Sequence, residues 1–275
     1  MIIPAVALQE LGYLPMAGQH RPPALIRAMR EDPAAFIRGA AVQLKVAQKL
    51  DCFEGPKRSE CLPTDPWPFT WVEVDKHAGT PAPETVTVWR VESGQFHAVY
   101  RTRANTGILH STPDGSWPIV RRYRVTTMQG FFPVPIPRPV ALLSASTEPV
   151  LSAGLSPIRS SATLAPKALS SASAKDALSV GLVPSAGPVP SAGLWHGAWV
   201  RWQPYDDTGI KWVSYFDGGR ALHYFPRARY GFPQSAGCVE MPLNAAHVVY
   251  RLTRMGTVVT VTAGSATSGQ ENAHA

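Results

Sequence analysis

Charge is scarce in this chain, with Asp, Glu, Lys and Arg making up only 16% of 275 residues. Hydrophobic residues make up 45% and proline occurs 27 times, which fits a β-rich, loop-rich globular protein with a low-complexity part. The net charge of +7 favours acidic surroundings, or serves solubility alone. No basic helix and no interleaved aromatic–basic motif is present, which excludes a recognisable nucleic-acid module. No run of eighteen apolar residues exists, so no helix is expected to span a membrane. Met1 to Val6 is too short for the apolar core of a secretory signal. Gly-rich phosphate loops are missing, so no nucleotide cofactor is expected. Cysteine occurs three times, at Cys52, Cys61 and Cys238. Those spacings match no zinc site, and no His cluster joins them, so no metal is expected. An odd count allows one disulfide and one free thiol. Cys52 and Cys61 are near enough in sequence to bridge, leaving Cys238 free; the other reading leaves all three unpaired.

What is present concentrates between Trp212 and Ala263. Trp212 to Phe216 reads as a strand, and Asp217-Gly218-Gly219 as a hairpin turn, since glycine tolerates positive φ. Ala221 to Phe225 is the returning strand, with His223 at its centre. A loop rich in Arg, Tyr, Gly and Pro leads to Ser235-Ala236-Gly237-Cys238. Pro242 opens a helix over Leu243 to Arg254, and Gly256 ends it. Thr257 to Ala263 is a closing strand. A thiolate is the attacking form of cysteine, and a neighbouring His can take its proton. Small residues around Cys238 let backbone N–H groups near Gly237 and Cys238 form an oxyanion hole. The competing reading is a buried small Cys and a packed strand His.

This run resembles the catalytic domain of the L,D-transpeptidases, whose signature is a His, a variable loop, then Ser/Thr-His-Gly-Cys. His223 matches the first His, Ser235 the hydroxyl residue, Gly237 the glycine and Cys238 the nucleophile. Ala236 stands where most members carry a second His, and Glu240 where many have Asn or Arg. A branch reading roughly Tyr-Gly-Phe-Pro-Gln-Ser-Leu-Gly-Cys-Val-Glu-Met-Pro is similar to Tyr230 to Pro242. Ser111-Thr112-Pro113-Asp114-Gly115-Ser116-Trp117-Pro118 resembles a second family segment, just before a strand over Ile119 to Val125.

Other stretches set the expected domains. Residues 7–15 and 35–50 have helical spacing. A Leu-Gly-Tyr-Leu-Pro opening with such a helix resembles small peptidoglycan-binding modules. Residues 1–62 are therefore expected as a helical module and the Pro-rich 63–82 as a linker. The catalytic domain is expected over 83–263, opening with strands Pro83 to Arg90 and Gln95 to Arg101. Within it, 133–193 is rich in Ser, Ala, Pro, Leu and Gly, lacks internal aromatics and repeats PSAG, so it is expected as a disordered surface insert. Residues 264–275 are expected as a disordered tail.

The expected fold is mainly β: an L,D-transpeptidase-like β-sandwich with a small α-helical N-terminal module and a long disordered insert. The resemblance implies acyl transfer between peptidoglycan stem peptides, with Cys238 attacking and His223 as base and then acid. It also implies work outside the cytoplasm, in the cell wall or periplasm, where anionic polymers meet the positive charge. Export then requires a start upstream or another route. Trp195, Tyr224 and Tyr230 are candidates for the groove, or for the core. The rivals are a wall-binding protein with a degenerate domain, supported by Ala236, and a hydrolase in which water attacks the thioester.

Overall fold

The computed structural model describes residues 5–15, 19–51, 68–138 and 192–264. Three helices come first: α1 (Ala5–Glu10), α2 (Pro23–Glu31) and α3 (Pro33–Asp51). Pro23 sits in the first turn of α2, where a missing N–H costs nothing. The Asp32 carboxylate accepts from Ala35 N–H at 3.2 Å and caps the start of α3.

The strands follow: β1 (Thr70–Asp75), β2 (Thr85–Glu92), β3 (Gln95–Arg103), β4 (Gly115–Pro118), β5 (Arg121–Pro135), β6 (Gly193–Trp195), β7 (Ala198–Asp217), β8 (Arg220–Tyr224), β9 (Val239–Met241) and β10 (Val258–Thr262). Helix α4 (Leu243–Leu252) links β9 to β10. One sheet runs β3-β2-β1-β10-β4, and the other β5-β7-β8-β9 with β6 on β7. The fold is mainly β, as expected. Among the described residues no helix is long and apolar enough to cross a membrane.

Strand alternation gives the first sheet two buried faces. Val72 and Val74 point into the core shared with Phe216, Leu222, Val239 and Met241 of the second sheet and with Ala246 and Val249 of α4. Trp71 points the other way, onto Leu8, Leu25, Phe36 and Leu44 of the helices. The helices thus share a core with the sheet instead of enclosing one of their own, which the expected 1–62 module did not anticipate. Contact is tight at Gly39: a Cβ there would lie 2.5 Å from the Gly256 carbonyl oxygen. Gln43 Nε2 donates to the same oxygen at 3.1 Å.

Two expected boundaries are corrected. The 63–82 stretch, read as a linker, contains β1, which lies between β2 and β10 in the first sheet. The catalytic domain therefore begins before residue 83. At the expected insert, Pro133–Pro135 is still strand, paired with Val200–Trp202, and Gly193 begins β6. Residues 139–191 and 265–275 lie outside the described residues, as do Cys52 and Cys61.

Candidate active site

Strand β8 lies parallel to β9, with Leu222 opposite Val239 and His223 opposite Glu240. Side chains alternate along a strand, so this register sorts the residues. Leu222, Val239 and Met241 enter the core. His223, Cys238 and Glu240 face the opposite way, and all three line a cavity of about 270 Å³. The β5–β7 ribbon supplies another wall through Phe132, Tyr205 and Asp207. The ribbon's register shifts between Thr126 and Met128.

The loop before Cys238 is held from within. Ser235 Oγ accepts from Gly237 N–H at 3.0 Å and donates to the Cys238 carbonyl at 2.6 Å. Thr112 Oγ1 accepts from Gly107 N–H at 2.7 Å and donates to the Gly237 carbonyl at 2.9 Å. The Ser111–Pro118 segment thus braces the loop before Cys238. Gly237 has φ 139°, and a Cβ would lie 2.9 Å from the Ser111 carbonyl oxygen. Only glycine fits that conformation and that gap. One expectation changes here: Gly237 N–H is committed to Ser235 and is not a free oxyanion donor.

His223 is 3% exposed. Its Nδ1 lies 2.9 Å from the Tyr224 carbonyl oxygen. A carbonyl only accepts, so Nδ1 carries the hydrogen and Nε2 keeps its lone pair. Burial lowers the imidazole pKa; the Tyr224 bond and Glu240 act against that, and Arg227 acts with it. Cys238 is half-buried, with Sγ 3.9 Å from the Gly219 carbonyl oxygen. Burial pushes its thiol up to about 11; Glu240 adds to this, while an Ala221 backbone hydrogen bond and Arg220 oppose it. Both shifts favour the uncharged forms, so the resting pair is a neutral thiol and a neutral imidazole.

Glu240 is buried yet satisfied. Arg227 Nε and Arg227 Nη2 each donate to its carboxylate at 2.8 Å, a bidentate pair. Arg220 bridges Asp217 at 2.7 Å and donates from Nε to the Ser111 carbonyl at 2.7 Å. These arginines, together with Tyr205 and Asp207, were not singled out from the sequence. Of the expected groove aromatics, Trp195 packs on Trp202 with centroids 5.0 Å apart. Tyr230 lines a different groove. Among the described residues no group of three or more His, Cys, Asp or Glu is placed to hold a metal ion.

Several solved structures are similar to the chain. The NMR structure of an Enterococcus faecium L,D-transpeptidase catalytic domain is 13% identical, with 70% of this chain and 96% of that one covered and a TM-score of 0.36. L,D-transpeptidase 3 from Mycobacterium tuberculosis, bound to a faropenem-derived adduct, is 15% identical, with 71% and 60% covered and a TM-score of 0.38. An L,D-transpeptidase from Mycobacterium smegmatis is 14% identical, with 71% and 59% covered and a TM-score of 0.36. Two other L,D-transpeptidase structures are matched over only about half of their own length, 53% and 50%. No curated protein matches the sequence. Residues 70–261, well over half of the chain, match the family described as YkuD, L,D-transpeptidase catalytic domain. The chain belongs to the L,D-transpeptidase catalytic domain family.

Proposed function

We propose that this protein cross-links peptidoglycan stem peptides by acyl transfer through Cys238. The observation that carries the reading is that His223 in β8 and Cys238, the residue directly before the parallel strand β9, line one cavity. Cys238 Sγ attacks the carbonyl carbon after the third residue of a tetrapeptide stem, and its proton passes to His223 Nε2. The tetrahedral intermediate collapses, the bond to the terminal D-alanine breaks, and the leaving amine takes the proton from the imidazolium. The amine of a second stem then attacks the thioester, returning the proton to sulfur by way of His223. The thiol need not ionise beforehand, because its proton moves as the bond forms. Ser235, Gly237 and Thr112 hold the loop, and Tyr224 fixes the His223 tautomer. This chemistry belongs outside the cytoplasm, where the polymer lies.

Incubation with tetrapeptide-containing muropeptides, followed by mass spectrometry of protein and products, tests the reading. A stem-peptide adduct on Cys238, its loss in Cys238→Ala and cross-linked dimers are expected. No adduct on a folded protein would overturn it. A thiol raised to about 11, with Ala236 in place of a second His, favours a second reading, a wall-binding protein without activity. Retention on wall material without any adduct would select that reading. Monomeric trimmed stems in place of dimers would select hydrolysis.

A further inference from the structure

The loop that walls the catalytic cavity with Phe225 and Arg227 continues through residues 228–232. There it forms one side of a second groove, of about 690 Å³. Pro81, Pro83 and Arg103, at the end of β3, form the other side. The groove is held in shape by two backbone links: Glu84 N–H donates to the Gly231 carbonyl at 2.8 Å, and Gly231 N–H to Asn105 Oδ1 at 2.9 Å. Tyr230 hydroxyl donates to the Phe225 carbonyl, so groove and cavity share a rigid partition.

Charge sets this groove apart. Arg220 and Arg227, nearby in sequence, each hold a carboxylate. Arg103 and Arg229 line the groove from its two sides, both exposed, and neither forms an ion pair among the described residues. Arg229 lies over the Phe232 ring, 5.8 Å from its centroid. Two guanidiniums beside proline, tyrosine and phenylalanine suit a short peptide with small apolar side chains and a few carboxylates. A polyphosphate would call for a longer cationic track. We infer that this groove binds the carboxylates of a second stem peptide, the one whose amine resolves the thioester. The inference rests on the function proposed above and adds the place of the second substrate.

The test separates the two substrates. Acyl-enzyme is formed on Cys238 with a donor tetrapeptide, and the cross-linking rate is followed against acceptor concentration. The double variant Arg103→Gln/Arg229→Gln is expected to need about tenfold more acceptor for half-maximal rate, while its donor acylation serves as the internal reference. Arg124→Gln, an exposed arginine on β5, serves as the charge control and leaves both unchanged. Unchanged acceptor dependence in the double variant would overturn the inference, and so would an equal loss in donor acylation. In a separate arm, binding to the Cys238→Ala protein is measured for the tetrapeptide, its fully amidated form and inorganic phosphate. Loss of peptide binding in the double variant, with the amidated form bound at least tenfold more weakly, supports the groove. Amidated peptide bound as well as the acid, or phosphate displacing peptide at equal concentration, overturns it. Absence of any acyl-enzyme in the wild-type protein would refute the proposed function, while this binding arm would still decide the groove.

Discussion

Raising the pH should accelerate alkylation of Cys238 with no plateau below about pH 10. Burial pushes the thiol to about 11 from an ordinary 9.0. At pH 7 that leaves roughly one thiolate in ten thousand, against roughly one in a hundred for the ordinary thiol. A more basic thiolate is also a better nucleophile, and a Brønsted slope near 0.45 returns roughly a factor of eight over two units. The net deficit at pH 7 is about tenfold relative to an exposed cysteine. The assay is iodoacetamide labelling from pH 6 to 10.5, read by peptide mapping so that Cys52 and Cys61 are scored apart. The rate at Cys238 should climb about tenfold per pH unit across that range. His223→Ala should change this rate less than about threefold, because a neutral imidazole does not hold a thiolate in place. A plateau below pH 8, or labelling at pH 7 faster than that of a free cysteine, would refute the argument. Either would mean a preformed thiolate–imidazolium pair.

Acyl transfer should respond differently, with His223→Ala slowing acylation by roughly 10²–10⁴-fold and Ala236→His giving little gain, as stopped-flow mass spectrometry would report. Gly237→Ala should lower the melting temperature by an amount worth about 1–3 kcal/mol and remove most acylation, since φ 139° and the nearby Ser111 carbonyl both oppose a Cβ. Replacing 140–190 by a linker of about eight Gly/Ser residues should leave activity within a few-fold. Pro135 and Gly193 both pair with Val200, from opposite edges of β7, so the gap is about 10 Å. Burial holds the His223 pKa below its ordinary 6.5, so the folded state takes up that proton less readily than the unfolded chain. The contribution is complete above pH 6.5 and is lost as pH falls from there through the folded value. Urea midpoints should therefore drop on acidification, and less steeply in His223→Gln.

That His223 and Cys238 come together at one cavity was readable because both lie in one contiguous run, with Gly-rich turns marking the strands. The opposite wall of the cavity was not. Tyr205 and Asp207 sit in a 20-residue strand whose polar middle lacks clean alternation. Its partner β5 lies across the insert in sequence, so nothing local announces the pairing. Strand β1 was hidden for another reason. Trp71 shares a face with Glu73 and Asp75, so that face reads as neither apolar nor polar, and the prolines before and after the strand suggested a linker. Helix α2 went unnoticed because it spans only nine residues, although Pro23 at its first position is the same start signal that was read at Pro242. Glu240 was visible only as a departure from the family pattern. Its Arg227 partner, 13 residues earlier, explains how a carboxylate is tolerated there.

The placement of β10 governs when the chain can fold as it leaves the ribosome. Trp71 pairs in parallel with Val258, and among the described residues β4 has no sheet partner except β10. Until residues 258–262 are made, β1 shows an open apolar edge and β4 has nothing to pair with. Such long-range closure makes folding slow. A nascent chain, or one cut short before residue 258, would instead present that edge to its neighbours as a template for aggregation.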